Sequence, residues 1–234
     1  MTISIVNVAK YYQGLSHQDE AIAYLEKELL RTNPELLTPD SDFVQIWRNL
    51  PQPIETQKTK PGRASTVDLP VPYLSQLDNV NNPHGSCNVT CVAMCLAYLG
   101  RPMVNSAGQQ LEDEMYRYLL DRGLSRHSPL DLAKLVRAYG YQDDFQPDAK
   151  WDEVKDWLAA GNPIITHGWF TQSGHIIVIR GYNDRGWIVN DPYGEWYEWG
   201  YDTNRTGEDL TYSYGMMSHV CGTDGDLWIH YISK

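Results

Sequence analysis

The chain has 234 residues, of which 42% are hydrophobic and 21% are charged, enough for one buried core and a small second unit. Its net charge of −11 argues against sequence-nonspecific binding of nucleic acids or anionic membranes, because both need basic patches. No apolar run approaches the roughly 18 residues of a membrane-spanning helix, and residues 1–6 lack the basic flank and apolar length of a signal peptide. We therefore expect a protein that is made in the cytoplasm without a signal peptide and is not inserted into a membrane. An extracellular destination would need a non-classical route.

The first 66 residues differ in character from the rest of the chain. Apolar spacing over residues 17–33 and over residues 40–50 predicts two amphipathic helices. Residues 52–66 contain proline breaks and almost no large apolar side chains, which indicates an exposed linker. We therefore predict a small helical N-terminal segment over residues 1–51. It is either a hairpin docked on the main domain or a targeting module, since helical periodicity alone carries no function.

The main domain is predicted to span residues 67–234 and to open with helices. The first helix runs from Cys87 to Leu99, where small and apolar residues continue without Gly or Pro until Gly100. Ser128 is the expected cap of a later helix, with Pro129 as its first helical residue. The remaining helices are predicted over residues 107–121, 129–139 and 151–160.

After residue 160 the hydrophobic period changes to that of β-strands. Short runs rich in β-branched residues, separated by turns, predict strands over residues 163–167, 175–182, 186–191 and 227–232. A helical half followed by an antiparallel sheet defines an α+β fold.

Three of the four cysteines, Cys87, Cys91 and Cys95, fall on one face of the first helix. Disulfides between successive helical turns are strained, so we expect reduced thiols. Cys87 lies in the first turn, where the helix dipole and the unpaired N–H groups stabilise a thiolate. A zinc site made by these cysteines and His84 is disfavoured, because four-residue spacing within one helix is unlike the ligand loops of structural zinc sites. We predict a nucleophilic cysteine, with no metal and no cofactor.

A cysteine nucleophile needs a base, a group that orients the base, and a donor that holds the developing oxyanion. His175 opens a predicted strand directly after a glycine, and Asp191 ends a nearby strand, within reach of that imidazole. Gln76 lies upstream of Cys87 across a loop and carries an amide of the kind that oxyanion holes use. The order donor, cysteine, histidine and acid is that of papain-like enzymes.

Each of these assignments has a simpler rival. His175 could be a structural histidine, and Asp191 could only cap an Asp-Pro turn. His167 is the nearest competitor for the base, but it precedes a Gly-Trp-Phe turn and begins no strand. His84, just upstream of the cysteine, would be a second donor near the cleft.

Four segments together resemble the bacteriocin-processing-type, or double-glycine-peptidase-like, cysteine peptidases, which have a papain-like fold. In chain order these segments are residues 71–79 (VPYLSQLDN), 85–90 (GSCNVT), 173–182 (SGHIIVIRGY) and 190–194 (NDPYG). Each motif alone is weak, but four in the correct order are specific. The resemblance implies that Cys87 is the nucleophile, His175 the base, Asp191 the orienting acid and Gln76 the oxyanion donor.

The same resemblance implies a substrate class. Family members fused to transporters cut leader peptides after Gly-Gly, whereas stand-alone phage and bacterial members are taken to cut peptidoglycan cross-links or other short peptides. The chain has no transporter segments, which favours the second group. We therefore predict a monomeric cysteine peptidase, of the endolysin or cell-wall-hydrolase type, acting on peptide or peptidoglycan. A catalytically silent module that binds peptide or wall fragments, and a transacylase with the same site, are the alternatives.

An aromatic segment, residues 195–201 (EWYEWGY), follows the predicted acid. It is either an edge strand with half-buried rings or a wall of the substrate cleft, where Trp and Tyr rings stack on sugar or peptide. We accordingly predict Trp196, Tyr193 and His84 as substrate-binding residues.

Overall fold

The computed structural model describes residues 62–222 and 225–234. The predicted N-terminal helices and residues 52–61 of the predicted linker lie outside the described residues. Arg63, near the end of that linker, forms ion pairs with Asp152 at 2.9 Å and with Asp156 at 2.8 Å. The end of the predicted linker therefore contacts the main domain, while the domain boundary at residue 67 stays a prediction.

Five α-helices form within the described residues. Their bounds are α1 Cys87–Tyr98, α2 Leu111–Asp121, α3 Pro129–Ala138, α4 Trp151–Ala159 and α5 Tyr214–Cys221. α1 begins at the predicted cysteine and is almost wholly buried, which its small and apolar residues permit. α3 begins after Ser128, whose hydroxyl accepts a hydrogen bond from the amide of Asp131 at 3.3 Å, as the capping pattern predicts. None of the described helices is long and apolar enough to cross a membrane.

The strands form one large antiparallel sheet and one small hairpin. Their bounds are β1 Val67–Asp68, β2 Gln142–Gln146, β3 Ile164–Gly168, β4 His175–Tyr182, β5 Gly186–Asn190, β6 Glu195–Tyr197, β7 Gly200–Asp202, β8 Leu210–Ser213 and β9 Ile229–Ser233. The large sheet has the order β2-β9-β3-β4-β5-β8, and β1 also pairs with β4. Among the described strands, β6 and β7 pair only with each other. The predicted α+β fold is confirmed.

Helices cover both faces of the large sheet. Ile176 and Val178 of β4 belong to a core that includes α1, α2 and α3. Ile177 and Ile179 point to the other face and pack in a second core with residues of α4 and α5. Because both faces are buried, β4 shows a continuous apolar run in place of the usual alternation. The strand bearing His175 is therefore held rigidly between two layers.

The structure differs from the predicted local structure in the start of one helix and in four additional elements. The second helix begins at Leu111 and not at residue 107, because the side-chain oxygen of Asn105 accepts hydrogen bonds from the amides of Ala107 and Gln109 and stabilises a turn. β1, β2, β8 and α5 have no counterpart among the predicted elements. β2 is a polar strand that pairs with β9 and with no other described strand, and it lacks the apolar pattern of a central strand.

Glu112 is a buried carboxyl group in the first turn of α2. Neither of its side-chain oxygens accepts a hydrogen bond from another described residue. Burial raises the pKa of Glu112 to about 7, and the nearby Asp78 and Asp113 contribute to the rise. A charged Glu112 is therefore unfavourable in the folded protein.

We predict that Glu112 makes the free energy of unfolding fall as the pH rises from about 4.5 to about 7. The sign follows because the folded state binds this proton more tightly than the unfolded state does, so stability is lost as the pH climbs to the folded pKa. Denaturant unfolding across this pH range should show a smaller loss for Glu112→Gln than for the parent protein. Asp121→Asn, an exposed change at the end of the same helix, should keep the parental slope. An unchanged slope in Glu112→Gln would contradict the prediction.

Candidate active site

Cys87 and His175 meet in a cavity of about 540 Å³ that lies between the start of α1 and the start of β4. Cys87 is half-buried, and its thiol lies beside the His175 side chain, whose charge lowers the pKa of the thiol. His175 is 6% exposed. Gln76, His84 and Tyr193 line the same cavity. The structure therefore brings together residues that stand far apart in the sequence.

Asp191 follows β5 and is fully buried beside His175. Its Oδ1 atom lies 2.9 Å from His175 Nε2 and accepts a hydrogen bond from the backbone amide of Tyr193 at 3.1 Å. Its Oδ2 atom accepts hydrogen bonds from the hydroxyls of Tyr201 at 2.9 Å and Tyr212 at 3.3 Å. Since Nε2 is bound to the carboxylate, Nδ1 of His175 is left for the thiol. The imidazole thus bridges the carboxylate and the sulfur.

Sequence reasoning missed the two tyrosines that hold Asp191. Tyr201 comes from β7 and Tyr212 from β8, so only the fold brings their hydroxyls to one carboxylate oxygen. Burial, together with the charge of Asp191, raises the pKa of both phenols well above the ordinary value. Both therefore stay protonated and donate.

The charges at this site favour a thiolate. Burial alone would raise the pKa of Cys87, but the positive charge and hydrogen bond of His175 and a backbone hydrogen bond from Ile176 outweigh it, so the pKa is lowered. Burial alone would lower the pKa of His175, yet Asp191 and Cys87 raise it. A thiolate beside an imidazolium is the reactive form of a nucleophilic cysteine.

The other three cysteines lie in different surroundings. Burial raises the pKa of Cys91 and Cys95 well above the ordinary value, and it raises the pKa of Cys221 to about 12. Cys91 donates from its sulfur to the carbonyl of Ile176 at 3.3 Å. Across residues 62–222 and 225–234, no three His, Cys, Asp or Glu side chains are grouped to hold a metal ion.

Gln76 begins a short 3₁₀ turn, Gln76–Asp78, and its side chain is almost completely buried at the cavity. Nε2 donates to the carbonyl of Pro83 at 2.8 Å, which leaves its second hydrogen for a ligand. The backbone amide of Gln76 donates to the carbonyl of Pro192 at 2.9 Å. The glutamine is thereby tied to the segment that follows Asp191.

Two of the three predicted substrate-binding residues lie at the cavity. His84 Nδ1 is 3.3 Å from the Tyr193 hydroxyl, and both side chains line the cavity. Trp196 does not, so its predicted place in the cleft wall is wrong. Its indole N–H donates to the carbonyl of Phe170 at 2.6 Å, and its ring packs in the core, only 6% exposed. A backbone partner for the N–H lets the whole indole be buried.

The α+β fold is that of papain-like cysteine peptidases, and comparison with known proteins identifies the family. The model of the peptidase C39-like family matches residues 68–221. The chain belongs to this family and is a cysteine peptidase, a hydrolase. No curated protein matches it.

Solved structures that are similar to this chain include the following three. One is a C39-like peptidase from Bacillus anthracis, with a TM-score of 0.50 and 16% identity over 73% of this chain and 99% of that one. Another is a double glycine motif protease from an AMS/PCAT transporter in complex with the leader peptide, with a TM-score of 0.45 and 19% identity over 71% and 95% of the two chains. The third is a fragment of prointerpain A from Prevotella intermedia, with a TM-score of 0.41 and 17% identity over 73% of each chain.

We predict that Cys87 reacts with iodoacetamide well before the other three cysteines at mildly acidic pH. Only a thiolate reacts, and the pKa is lowered at Cys87 alone among the four. Peptide mapping after a short pulse measures the order of labelling. In His175→Ala, the labelling of Cys87 should need a higher pH, because the neighbouring positive charge is gone. Equal labelling of all four cysteines in the folded protein would refute the prediction.

Proposed function

We propose that Cys87, His175 and Asp191 act as nucleophile, acid–base and orienting carboxylate in peptide-bond hydrolysis. The observation that carries this proposal is the imidazole held between a thiol of lowered pKa and a buried carboxylate. Four polar contacts hold the Asp191 carboxylate, and two of them, with His175 and with the backbone amide of Tyr193, come from segments that line the cavity. Because the carboxylate is held in place, the imidazole bonded to it has one favoured orientation.

In the first half of the reaction, the thiolate attacks the carbonyl carbon of the substrate and a C–S bond forms. The electron pair moves to the carbonyl oxygen, and the imidazolium of His175 then gives its proton to the leaving amine as the C–N bond breaks. In the second half, His175 takes a proton from water as the water attacks the thioester. The C–S bond then breaks and the carboxylic acid leaves, which restores the thiolate of Cys87 beside the imidazolium of His175.

Gln76 is proposed as the side-chain donor of the oxyanion hole. Its amide is buried and fixed by Pro83 on one hydrogen, so the second hydrogen points from a rigid position. A preorganised donor of this kind stabilises the charge that develops in the transition state more than it stabilises bound substrate.

We further propose that the substrate is a stem or cross-bridge peptide of peptidoglycan. This rests on the resemblance of the four motifs to stand-alone members of the family and on the lining of the cavity. That lining combines the charged Arg126 and Asp226 with the rings of Trp169 and Trp228, which suits a short polar peptide.

The test is incubation of the purified protein with peptidoglycan preparations that differ in their cross-bridges, followed by mass spectrometry of the products. Hydrolysis should release a new amine and a new carboxylate from one bond type under reducing conditions, and Cys87→Ala should release neither. Products that carry a new amide would indicate a transacylase. No cleavage of any preparation by the parent protein would refute the proposed substrate.

Replacing Gln76 separates the donor from the nucleophile. Gln76→Ala should lower kcat about 10²–10³-fold, roughly 3–4 kcal/mol, and should leave KM nearly unchanged. Cys87→Ala should abolish turnover, since no acyl-enzyme can form. Gln142→Ala, an exposed change on the sheet edge, is the matched control and should keep the parental kcat. A near-normal kcat in Gln76→Ala would remove Gln76 from the mechanism.

A further inference from the structure

A second row of polar side chains crosses the large sheet and ends at the same cavity. Asp143 on β2, His230 on β9 and His167 on β3 lie on three adjacent strands. In the pairing register, His230 stands opposite both Phe145 of β2 and Ile165 of β3. Asp143 and His167 are each two residues from those partners, so all three side chains lie on one face.

The three side chains form a continuous hydrogen-bonded chain. His230 Nδ1 lies 2.9 Å from Asp143 Oδ2 and 3.1 Å from Oδ1, and His230 Nε2 lies 3.0 Å from His167 Nε2. The planes of the two imidazole rings differ by 26° and their centroids are 5.2 Å apart, so the rings meet edge to edge through these nitrogens. Asp143 and His230 are buried, whereas His167 lines the cavity. His167 is therefore the end of the chain that a ligand can reach.

The position of the protons decides what His167 offers to a ligand. If His230 is neutral, it donates to Asp143 and accepts from His167, whose remaining nitrogen Nδ1 then carries a lone pair. If His230 is an imidazolium, it donates to both neighbours, and His167 Nδ1 then carries a hydrogen.

Charge favours the second arrangement. Among the described residues, His230 is the only side chain hydrogen-bonded to the buried Asp143 carboxylate, and a buried carboxylate is costly without a cation beside it. Burial and the positive charge of His230 lower the pKa of His167 to about 3, so His167 itself stays neutral. An ion pair of Asp143 with His230 and a neutral His167 satisfies all three groups.

We propose that His167 is a substrate-binding residue whose Nδ1–H donates to a carbonyl or carboxylate oxygen of the substrate peptide, with Asp143 and His230 as positioning residues that fix this tautomer. The proposal rests on the proposed function, since it places the oxygen in the same cleft as Cys87. On β3, His167 pairs with Ile176, the residue that follows His175, so the bound oxygen lies close to the reacting bond. Trp169 and Trp228 flank the site along the cavity wall.

The tautomer can be measured without turnover. In ¹⁵N-labelled Cys87→Ala, two-bond ¹H–¹⁵N spectra at neutral pH should show His230 protonated on both nitrogens and His167 protonated only on Nδ1. Asp143→Asn should remove the charge from His230 and move the His167 proton to Nε2. A His167 that already carries its proton on Nε2 with Asp143 intact would overturn the proposal.

Binding tests the consequence for the substrate. The probes are a stem peptide of peptidoglycan with a free side-chain carboxylate and the same peptide with that group amidated, titrated into Cys87→Ala. Adding Asp143→Asn should raise Kd about 5-fold or more, because a donor becomes an acceptor facing the same oxygen. Asp144→Asn, the adjacent exposed carboxylate, should leave Kd unchanged.

The two probes distinguish the source of the oxygen. A weakening for the carboxylate form alone identifies a carboxylate, and an equal weakening for both forms identifies a carbonyl oxygen, of the backbone or of the side-chain amide; either result supports the proposal. Unchanged Kd for both forms, once the spectra show that the tautomer has moved, would overturn it. If neither form binds the parent Cys87→Ala protein, the proposed peptidoglycan substrate is wrong, and the tautomer spectra still decide the state of His167.

Discussion

The buried carboxylate of Asp191 is the constraint on which the site depends. A carboxylate removed from water must have its oxygens satisfied, and four donors converge on this one: an imidazole, a backbone amide and two phenols. The phenols of Tyr201 and Tyr212 come from strands that follow Asp191 in the chain. The segment after β7 also approaches so closely that a side chain at Gly207 would collide with the carbonyl of Asp191. The hairpin β6–β7 and strand β8 thus each supply a hydroxyl that donates to the Asp191 carboxylate.

The two-layer cover of the sheet fixes the opposite half of the site. α1 packs on one face of β4, while α4 and α5 pack on the other, so the strand cannot shift relative to the helix without disturbing two cores. Cys87 and His175 stand at the first positions of these two elements. The backbone of both residues is therefore well packed, and their side chains face the cavity, as the nucleophile and base roles that we propose for them require.

Sequence reasoning found those parts of the fold whose pattern is local. The start of α1 and the full extent of β4 were predictable because an uninterrupted apolar run and its flanking breaks lie within a single stretch. β2 was not predictable, since Gln142 to Gln146 gain their strand geometry from pairing with β9 and not from their own composition. Trp196 was assigned to the wrong surroundings for a related reason, because an aromatic residue on a short strand packs equally well toward a core or a cleft. The partners of Asp191 on β7 and β8 likewise depend on tertiary contacts that no spacing reveals.

Two Asp–His pairs lie on or beside the large sheet, and their surroundings give them different chemistry. In His175–Asp191 the second nitrogen of the imidazole meets a thiol, a group that can lose a proton and attack carbon. In His230–Asp143 the second nitrogen meets the imidazole of His167, and the hydrogen bond between the rings decides which nitrogen of His167 carries a hydrogen. The first pair therefore suits proton transfer and the second suits recognition, although the Asp–His hydrogen bonds are 2.9 Å long in both. In the roles that we propose, the atom at the far end of the imidazole, and not the Asp–His contact itself, distinguishes the acid–base His175 from the substrate-binding His167.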